Sequence, residues 1–183
     1  MKLTYQLIAG FGILTLFVMI SGITGIIATG VINSKMETVT RVTGPTVQVI
    51  DDMIIATAQI NSILQEFTDE DDEPSLEDLR SEFDSLNQQM INFQAEAVKL
   101  IDDENLLENL QAATKKYGTL KEKATNLMAA RKNELVTVDV EERFRYKSVK
   151  DALAKQVNDE AKELTALLNE VSTRVNTLNK KAD

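Results

Sequence analysis

The stretch "VTRVTGPTVQVIDDMIIATAQINSILQEF", residues 39–67, sets the architecture of the chain, because its apolar side chains recur every three or four positions. The positions with this spacing are Val39, Val42, Thr46, Val49, Met53, Ala56, Ile60, Ile63 and Phe67. Apolar residues at this period line one face of an α-helix. The stretch therefore predicts a long amphipathic helix whose apolar face packs against other helices.

The same spacing recurs three times further along the chain. It predicts a second helix over residues 76–100, a third over residues 106–127 and a fourth over residues 146–178. Apolar residues line one face of each predicted helix. The sequence therefore predicts an all-α fold.

Polar segments separate the predicted helices. Residues 68–75 form an acidic turn, after which Ser75 and Asp78 fit a capping box at the start of the second helix. Residues 102–103 mark a short second turn, and the β-branched residues 134–142 are a poor helix former and predict the last connection. Helices joined by short turns pack as antiparallel neighbours, which predicts an up-down-up-down four-helix bundle.

Residues 7–32 are uncharged and rich in apolar side chains. A helix of this length is about 39 Å long, enough to cross a hydrocarbon core of roughly 30 Å. Because no turn signal follows, the predicted transmembrane helix continues into the first bundle helix and contacts lipid. The predicted domains are this helix, residues 1–32, and the bundle, residues 33–183. The alternative is a cleaved signal peptide, for which residues 28–30 offer a small-x-small site.

Composition limits the chemistry that the chain can perform. It has no cysteine and no histidine, which removes thiolate nucleophiles, imidazole bases and Cys/His metal sites. The net charge of −9 argues against nucleic acid as a partner, since binding to phosphates needs a basic face. No nucleophile lies beside a base in the pattern. We therefore expect no enzymatic activity and no cofactor.

The chain resembles the N-terminal part of a bacterial methyl-accepting chemotaxis protein with a four-helix-bundle sensor. The resemblance rests on the opening "MKLTYQLIAGFGILTLFVMISGITG", residues 1–25, and on Pro45 in the first bundle helix. It implies a homodimer in the inner membrane with the bundle in the periplasm. It also implies signal transduction in chemotaxis, with the bundle binding a small molecule, or a ligand-loaded periplasmic binding protein, and passing a piston-like displacement through the fourth helix.

The resemblance does not extend to the other parts of the signalling machinery of such a receptor. The sequence shows one apolar run long enough to span a membrane, which gives a single predicted span, and no HAMP linker or methylation region follows. The alternatives are a fragment of a longer receptor and a stand-alone protein. In aspartate-sensing members, arginines on the first helix hold the ligand. Residues 54–67 contain no arginine, so that specificity is not carried over.

Basic side chains gather at the end of the predicted bundle that carries the first and last connections. Guanidinium groups bind carboxylates in a bidentate geometry, and aromatic rings supply an apolar wall. The residues that predict a carboxylate-binding pocket there are Arg80, Arg131, Arg143, Arg145 and Tyr146. The alternative, which the pattern favours, is that these cations neutralise the acidic turn at residues 69–73.

Two polar side chains on the first helix, Asn61 and Gln65, are further candidates for ligand contact. A polar group in an apolar stripe can instead fix the register of helix packing, and for Asn61 this reading is favoured. The five acidic residues 69–73 raise the possibility of calcium, but they lack the layout of an EF-hand loop and fit a solvated charge run better. We expect no metal site.

Two functions remain open at this point. The first is a ligand-binding sensor module of a chemoreceptor-like signal transducer. The second is a structural or scaffolding helical bundle, anchored to a membrane, that binds another protein. An exposed apolar groove without any response to small molecules would favour the scaffold.

Overall fold

The computed structural model describes residues 43–181, and within this range the chain forms four α-helices and no strand. The helices are α1 (Gly44–Asp69), α2 (Glu73–Leu100), α3 (Glu104–Val136) and α4 (Val140–Lys181). Short connections at residues 70–72, 101–103 and 137–139 join them. The predicted all-α four-helix bundle is thereby confirmed.

Consecutive helices are antiparallel, and they do not pack equally tightly. α3 and α4 pack against each other most extensively, and α1 packs against both α2 and α4. α2 and α3 touch least among the neighbours in the bundle. The α1–α2 and α3–α4 connections lie at the same end, because Arg131 near the end of α3 binds the carbonyl of Glu70. We refer to this end as the upper end.

The core consists of the apolar positions that the spacing predicts. Side chains with no exposed surface occur on all four helices, and they include Met53, Ile60, Met90, Leu110, Leu120, Leu164 and Leu168. The prediction is wrong at both ends of α4, where Val149 is 44% and Leu178 is 43% exposed. Near Val149 the adjacent Lys150 is buried instead, because a carboxylate on α3 lies within its reach.

The helix starts differ from the sequence prediction in one case. The N-cap of α2 is Asp72 and not Ser75, because the Asp72 carboxylate accepts from both the backbone N–H and the hydroxyl of Ser75. α3 begins after the predicted turn, where the Asp103 carboxylate accepts from the N–H of Leu106 at 2.9 Å. Both aspartates satisfy donors that the first helical turn leaves free.

The last connection is shorter than predicted. Residues 134–142 were expected to lack helix, yet α3 continues to Val136 and α4 begins at Val140. The helix penalty of a β-branched residue is below about 1 kcal/mol, and the buried contacts of Glu134 outweigh it. Asp139 caps the next helix by accepting from the N–H groups of Glu141 and Glu142, each at 2.9 Å.

The sequence predicted a single span in the bacterial inner membrane, with the bundle in the periplasm. This prediction is wrong, judged from the length and apolar character of the described helices. Among helices α1 to α4, none is apolar enough over a sufficient length to cross a bilayer. The predicted transmembrane helix within residues 7–32, and its continuation into the first bundle helix, lie outside the described residues.

Candidate functional site

Three charged side chains are buried together at the upper end, and we call them the ion cluster. They are Arg131 and Glu134 on α3 and Lys150 on α4, which are 5%, 6% and 7% exposed. Arg131 Nη1 donates to Glu134 Oε2 at 2.9 Å, and Lys150 Nζ lies 3.4 Å from the same oxygen. One carboxylate thus serves two cations from different helices.

The ion cluster also binds the acidic turn between α1 and α2. Arg131 Nε and Nη2 donate to the Glu70 carbonyl at 3.0 and 2.6 Å, and Nη2 donates to Asp71 Oδ1 at 2.6 Å. Lys150 Nζ donates to the Thr68 carbonyl at 3.4 Å. Arg131 therefore neutralises the acidic turn, which is the alternative that the sequence favoured.

The charge of Glu134 is stabilised inside the bundle. Burial alone would raise the pKa of Glu134, but the hydrogen bond from Arg131 and the positive charge of Lys150 outweigh burial and lower the pKa below its ordinary value. The carboxylate is therefore ionised at neutral pH. An ion cluster of this kind is expensive to break once buried, because removal of one member leaves the others without compensation.

A cleft of about 250 Å³ opens near the upper end between α2 and α3, the neighbouring pair of helices with the least extensive packing. Its floor is apolar and consists of the buried side chains of Phe67, Leu76, Phe83 and Met128. Its rim is charged on both sides. The polar residues lining this α2–α3 cleft are Glu73, Glu77, Arg80, Asp84, Lys121, Thr125, Lys132 and Asn133.

Two cross-helix contacts flank the central part of the α2–α3 cleft along the helices. Toward the upper end, Lys132 Nζ lies 3.1 Å from Glu77 Oε1. Toward the other end, the buried Tyr117 hydroxyl donates to Asn87 Oδ1, and burial raises the pKa of Tyr117, so the phenol is neutral. These two contacts therefore mark the limits of the central part of the cleft along the helices.

Tyr117→Phe is expected to lower the free energy of unfolding by about 1–3 kcal/mol, because the buried Asn87 carbonyl loses its donor. Chemical denaturation measures the change. Tyr146→Phe is the matched control, since Tyr146 is only partly buried and no described residue hydrogen-bonds to its hydroxyl. Equal effects of the two substitutions would contradict a structural role for the Tyr117 hydroxyl.

A second, more open cleft of about 410 Å³ lies between α3 and α4. Arg145, Tyr146 and Glu142 line it from α4, and Asn126 lines it from α3. Ala129 and Asn133 line this α3–α4 cleft as well as the α2–α3 cleft. α3 therefore separates two clefts, and a shift of α3 changes the shape of both.

Another group of paired charges lies on the α3–α4 interface, further from the upper end than the ion cluster. Glu160 on α4 accepts from Lys123 at 2.5 Å and lies 2.6 Å from Lys116, both on α3. These two hydrogen bonds lower the pKa of Glu160. The pKa of Lys116 is raised in turn by its hydrogen bonds to Glu160 and Glu163. The group fastens α3 to α4 below the α3–α4 cleft.

The arginines and the tyrosine predicted to form one carboxylate pocket are divided among several places. Arg80 lines the α2–α3 cleft, whereas Arg145 and Tyr146 line the α3–α4 cleft. Arg131 is buried in the ion cluster, and Arg143 is exposed and lines neither cleft. The single pocket expected from the sequence is thus two clefts with α3 between them.

The polar residues of the first helix do not join these clefts. Asn61 is half-buried and Gln65 is exposed on α1, and neither lines the α2–α3 or the α3–α4 cleft. Sequence reasoning missed Lys121, Phe83 and Met128 as cleft residues. The antiparallel register of α2 and α3 brings these three residues together. The hydrogen bond between Tyr117 and Asn87 fixes that register, and this polar pair is the signal that could have revealed it.

The acidic turn is occupied by protein contacts. Asp71 pairs with Arg131, and Asp72 caps α2. Over residues 43–181, no group of acidic side chains has the arrangement needed to hold a metal ion.

The chain belongs to a family of sensory domains. Residues 1–182 match the family described as a four helix bundle sensory module for signal transduction. This module is the sensory module of methyl-accepting chemotaxis proteins, as the resemblance of the sequence predicted. Comparisons with curated proteins and with solved structures gave no significant match.

Proposed function

We propose that the protein is a sensor module that binds a small molecule at the upper end of the bundle and relays a helix displacement along α4. Membership of the sensory family supports the class of function. The observation that carries the proposal is the α2–α3 cleft, a concave site with an apolar floor and a polar rim. Sites with this composition are the usual binding places for small molecules.

The packing of the bundle supports the proposed relay. α3 forms one wall of the α2–α3 cleft, and α3 packs on α4 more extensively than any other pair of helices packs. Close-packed interiors yield little to compression, so a shift of α3 is passed to its neighbour. α4 is the longest described helix, and at its far end Ser172 hydrogen-bonds to Asp51 on α1.

A thermal-shift screen of the full chain tests the binding step. The panel contains organic acids, amino acids, purines and divalent cations. At least one compound is expected to raise the unfolding temperature saturably, with a stabilisation of about 2.7 kcal/mol at 100 times its Kd. A panel without any effect, repeated with compounds that fill the apolar floor, would count against direct sensing and favour recognition of a ligand-loaded binding protein.

A scaffold that binds another protein is the second candidate, and a specific surface favours it. Large apolar side chains are exposed around the α3–α4 connection, with Val138 95%, Val140 83% and Phe144 74% exposed. Exposed apolar patches of this kind mark interaction sites. The scaffold requires this patch and no small molecule, so Phe144→Ser would abolish partner binding while leaving any ligand response of the chain unchanged.

We also propose a homodimer as the functional form. Ile55 on α1 and Ile91 and Val98 on α2 are about half exposed, and a second copy of the chain could cover them in a symmetric interface. Sedimentation of the full chain over a range of concentrations tests this. A monomer at all concentrations would contradict the dimer and leave the sensor proposal intact.

A further inference from the structure

The central part of the α2–α3 cleft holds two cationic side chains that form no ion pair with a described carboxylate. Arg80 projects from α2 and Lys121 from α3, and neither forms an ion pair within the described residues. The other cation of the cleft, Lys132, is paired with Glu77. Two helices thus each present one unpaired positive charge to the same cleft.

The charged residues of the whole lining balance, three carboxylates against three cations, but they are unevenly placed along the cleft. Glu77 is engaged with Lys132, and Glu73 lies in the first turn of α2, where the helix dipole favours a negative charge. Asp84 is the remaining carboxylate between the two flanking contacts. Arg80 and Lys121 against Asp84 leave the centre of the cleft with an excess of one positive charge.

The floor below these charges is apolar. The rings of Phe67 and Phe83 and the thioether of Met128 lie there, and their exposed fractions are 3%, 1% and 7%. The cleft volume of about 250 Å³ lies just below the usual range for ligand sites, about 300–1,000 Å³. The site therefore fits a compact molecule with an apolar body and one charged group.

We propose that the α2–α3 cleft binds a small organic anion, a carboxylate on a compact aromatic or aliphatic body. Arg80 and Lys121 hold the carboxylate from opposite helices, and the body lies over Phe83 and Met128. The inference rests on the proposed sensor function and specifies its ligand class and its site. Arg80 offers the planar donor pair that suits a carboxylate, and Lys121 adds a point charge.

The proposal also explains how binding would act on the bundle. α2 and α3 share the weakest contact among the neighbouring helices, and the cations at the cleft centre repel each other. A bound carboxylate replaces this repulsion by two attractive contacts and draws the helices together. The helix that moves against α2 is α3, which is the helix packed on α4.

Titration of the full chain with three molecules of similar shape tests the charge requirement. The probes are benzoate, the uncharged benzamide and the cationic benzylamine, followed by calorimetry and by thermal shift at constant ionic strength. Benzoate is expected to bind saturably and at least about tenfold more tightly than either analogue, since charge-assisted hydrogen bonds are lost with the charge. Equal binding of benzamide, or tighter binding of benzylamine, would overturn the proposal.

A pair of double variants tests the location. R80Q/K121Q removes both cations of the cleft, and R143Q/K147Q removes two exposed cations at the same end that line neither cleft. Both variants change the net charge equally, and circular dichroism checks their folding. The cleft variant is expected to bind benzoate at least about tenfold more weakly, with the control unchanged. Equal affinities of the two variants would place the site elsewhere.

The outcomes separate this inference from the sensor function. If benzoate and other organic acids leave the chain unaffected while another class in the wider panel stabilises it, the anion proposal fails and the sensor stands. If no compound of any class stabilises the chain, both fail. Stabilisation by apolar amino acids as zwitterions, with benzoate inactive, would also reject the anion and point to Asp84 as an ammonium partner.

Discussion

Replacement of Glu134 by alanine is expected to lower the free energy of unfolding by about 3–5 kcal/mol. Glu134 is 6% exposed, and its Oε2 atom serves both Arg131 and Lys150 inside the bundle. Without it, two buried cations lose the carboxylate that faces them on α3. Denaturant titration measures the change. Glu163→Ala removes an exposed carboxylate paired with Lys116 and is the control, expected to cost about 1 kcal/mol or less.

The same cluster predicts a dependence on pH. Because the folded-state pKa of Glu134 is lowered, its ionised form stabilises the fold at pH values above the unfolded pKa, and this contribution is lost as the pH falls through the folded pKa. The Glu134→Gln variant cannot lose that proton-linked term. We expect its stability to fall less than that of the wild type between neutral and acid pH. Parallel curves would contradict the role assigned to Glu134.

Leu168→Ala is expected to lower the free energy of unfolding by about 2–5 kcal/mol, because the side chain has no exposed surface and its loss leaves a cavity. Leu168 lies on the core face of α4 and belongs to the buried apolar cluster of the bundle. Thermal and denaturant unfolding both report the change, and the ligand response of the folded variant should persist.

Leu178→Ala on the same helix is the matched control for Leu168→Ala. Its side chain is 43% exposed, so the identical substitution removes fewer contacts and creates no closed cavity. Its expected cost is within about 1 kcal/mol. If the two substitutions destabilise the chain equally, the core face assigned to α4 is wrong.

Most of the fold could be predicted from the sequence, because burial in a helix bundle follows the period of the helix. The spacing that begins in residues 39–67 places Met53, Ile60 and Phe67 in the core, and all three are buried. Asp103 marked the start of α3 correctly. The helix ends were less predictable, because the capping of α2 by Asp72 depends on how the turn folds and not on composition alone.

The upper part of α4 could not be predicted from apolar spacing. The pattern places Val149 in the core, whereas Val149 is 44% exposed and its neighbour Lys150 is 7% exposed. Apolar periodicity carries no information about a carboxylate on another helix. The position of Glu134 across the α3–α4 interface, together with the Thr68 carbonyl, makes the burial of this lysine favourable.

The gathering of the charged side chains at one end of the bundle was predictable, but their division between two clefts was not. The sequence shows that Arg80, Arg131 and Arg145 gather at one end of the bundle. It does not show between which helices a cleft opens. That depends on packing, and α3 packs much more extensively on α4 than on α2. Lys121 reaches the cleft only through the register that the contact between Asn87 and Tyr117 reveals.

The two charged assemblies of the upper end have different roles in this account. The ion cluster is internally paired and ties the α1–α2 turn to α3 and α4. The α2–α3 cleft holds cations without an ion-pair partner over an apolar floor, an arrangement suited to binding an organic anion. Stability and ligand binding should therefore respond to separate substitutions, Glu134 for the first and Arg80 with Lys121 for the second.

The central claim is that a ligand at the upper end changes the relation between α4 and α1 at the other end. The chain has no cysteine, so Asp51→Cys and Ser172→Cys introduce one disulfide pair where these side chains meet at 3.4 Å. The measurement is the Kd of the most tightly bound compound of the panel for the oxidised and the reduced protein. Because coupling between sites is reciprocal, we expect the two values to differ by about fivefold or more. Equal Kd values for the locked and the free protein would show that binding and helix position are independent, and would contradict the relay.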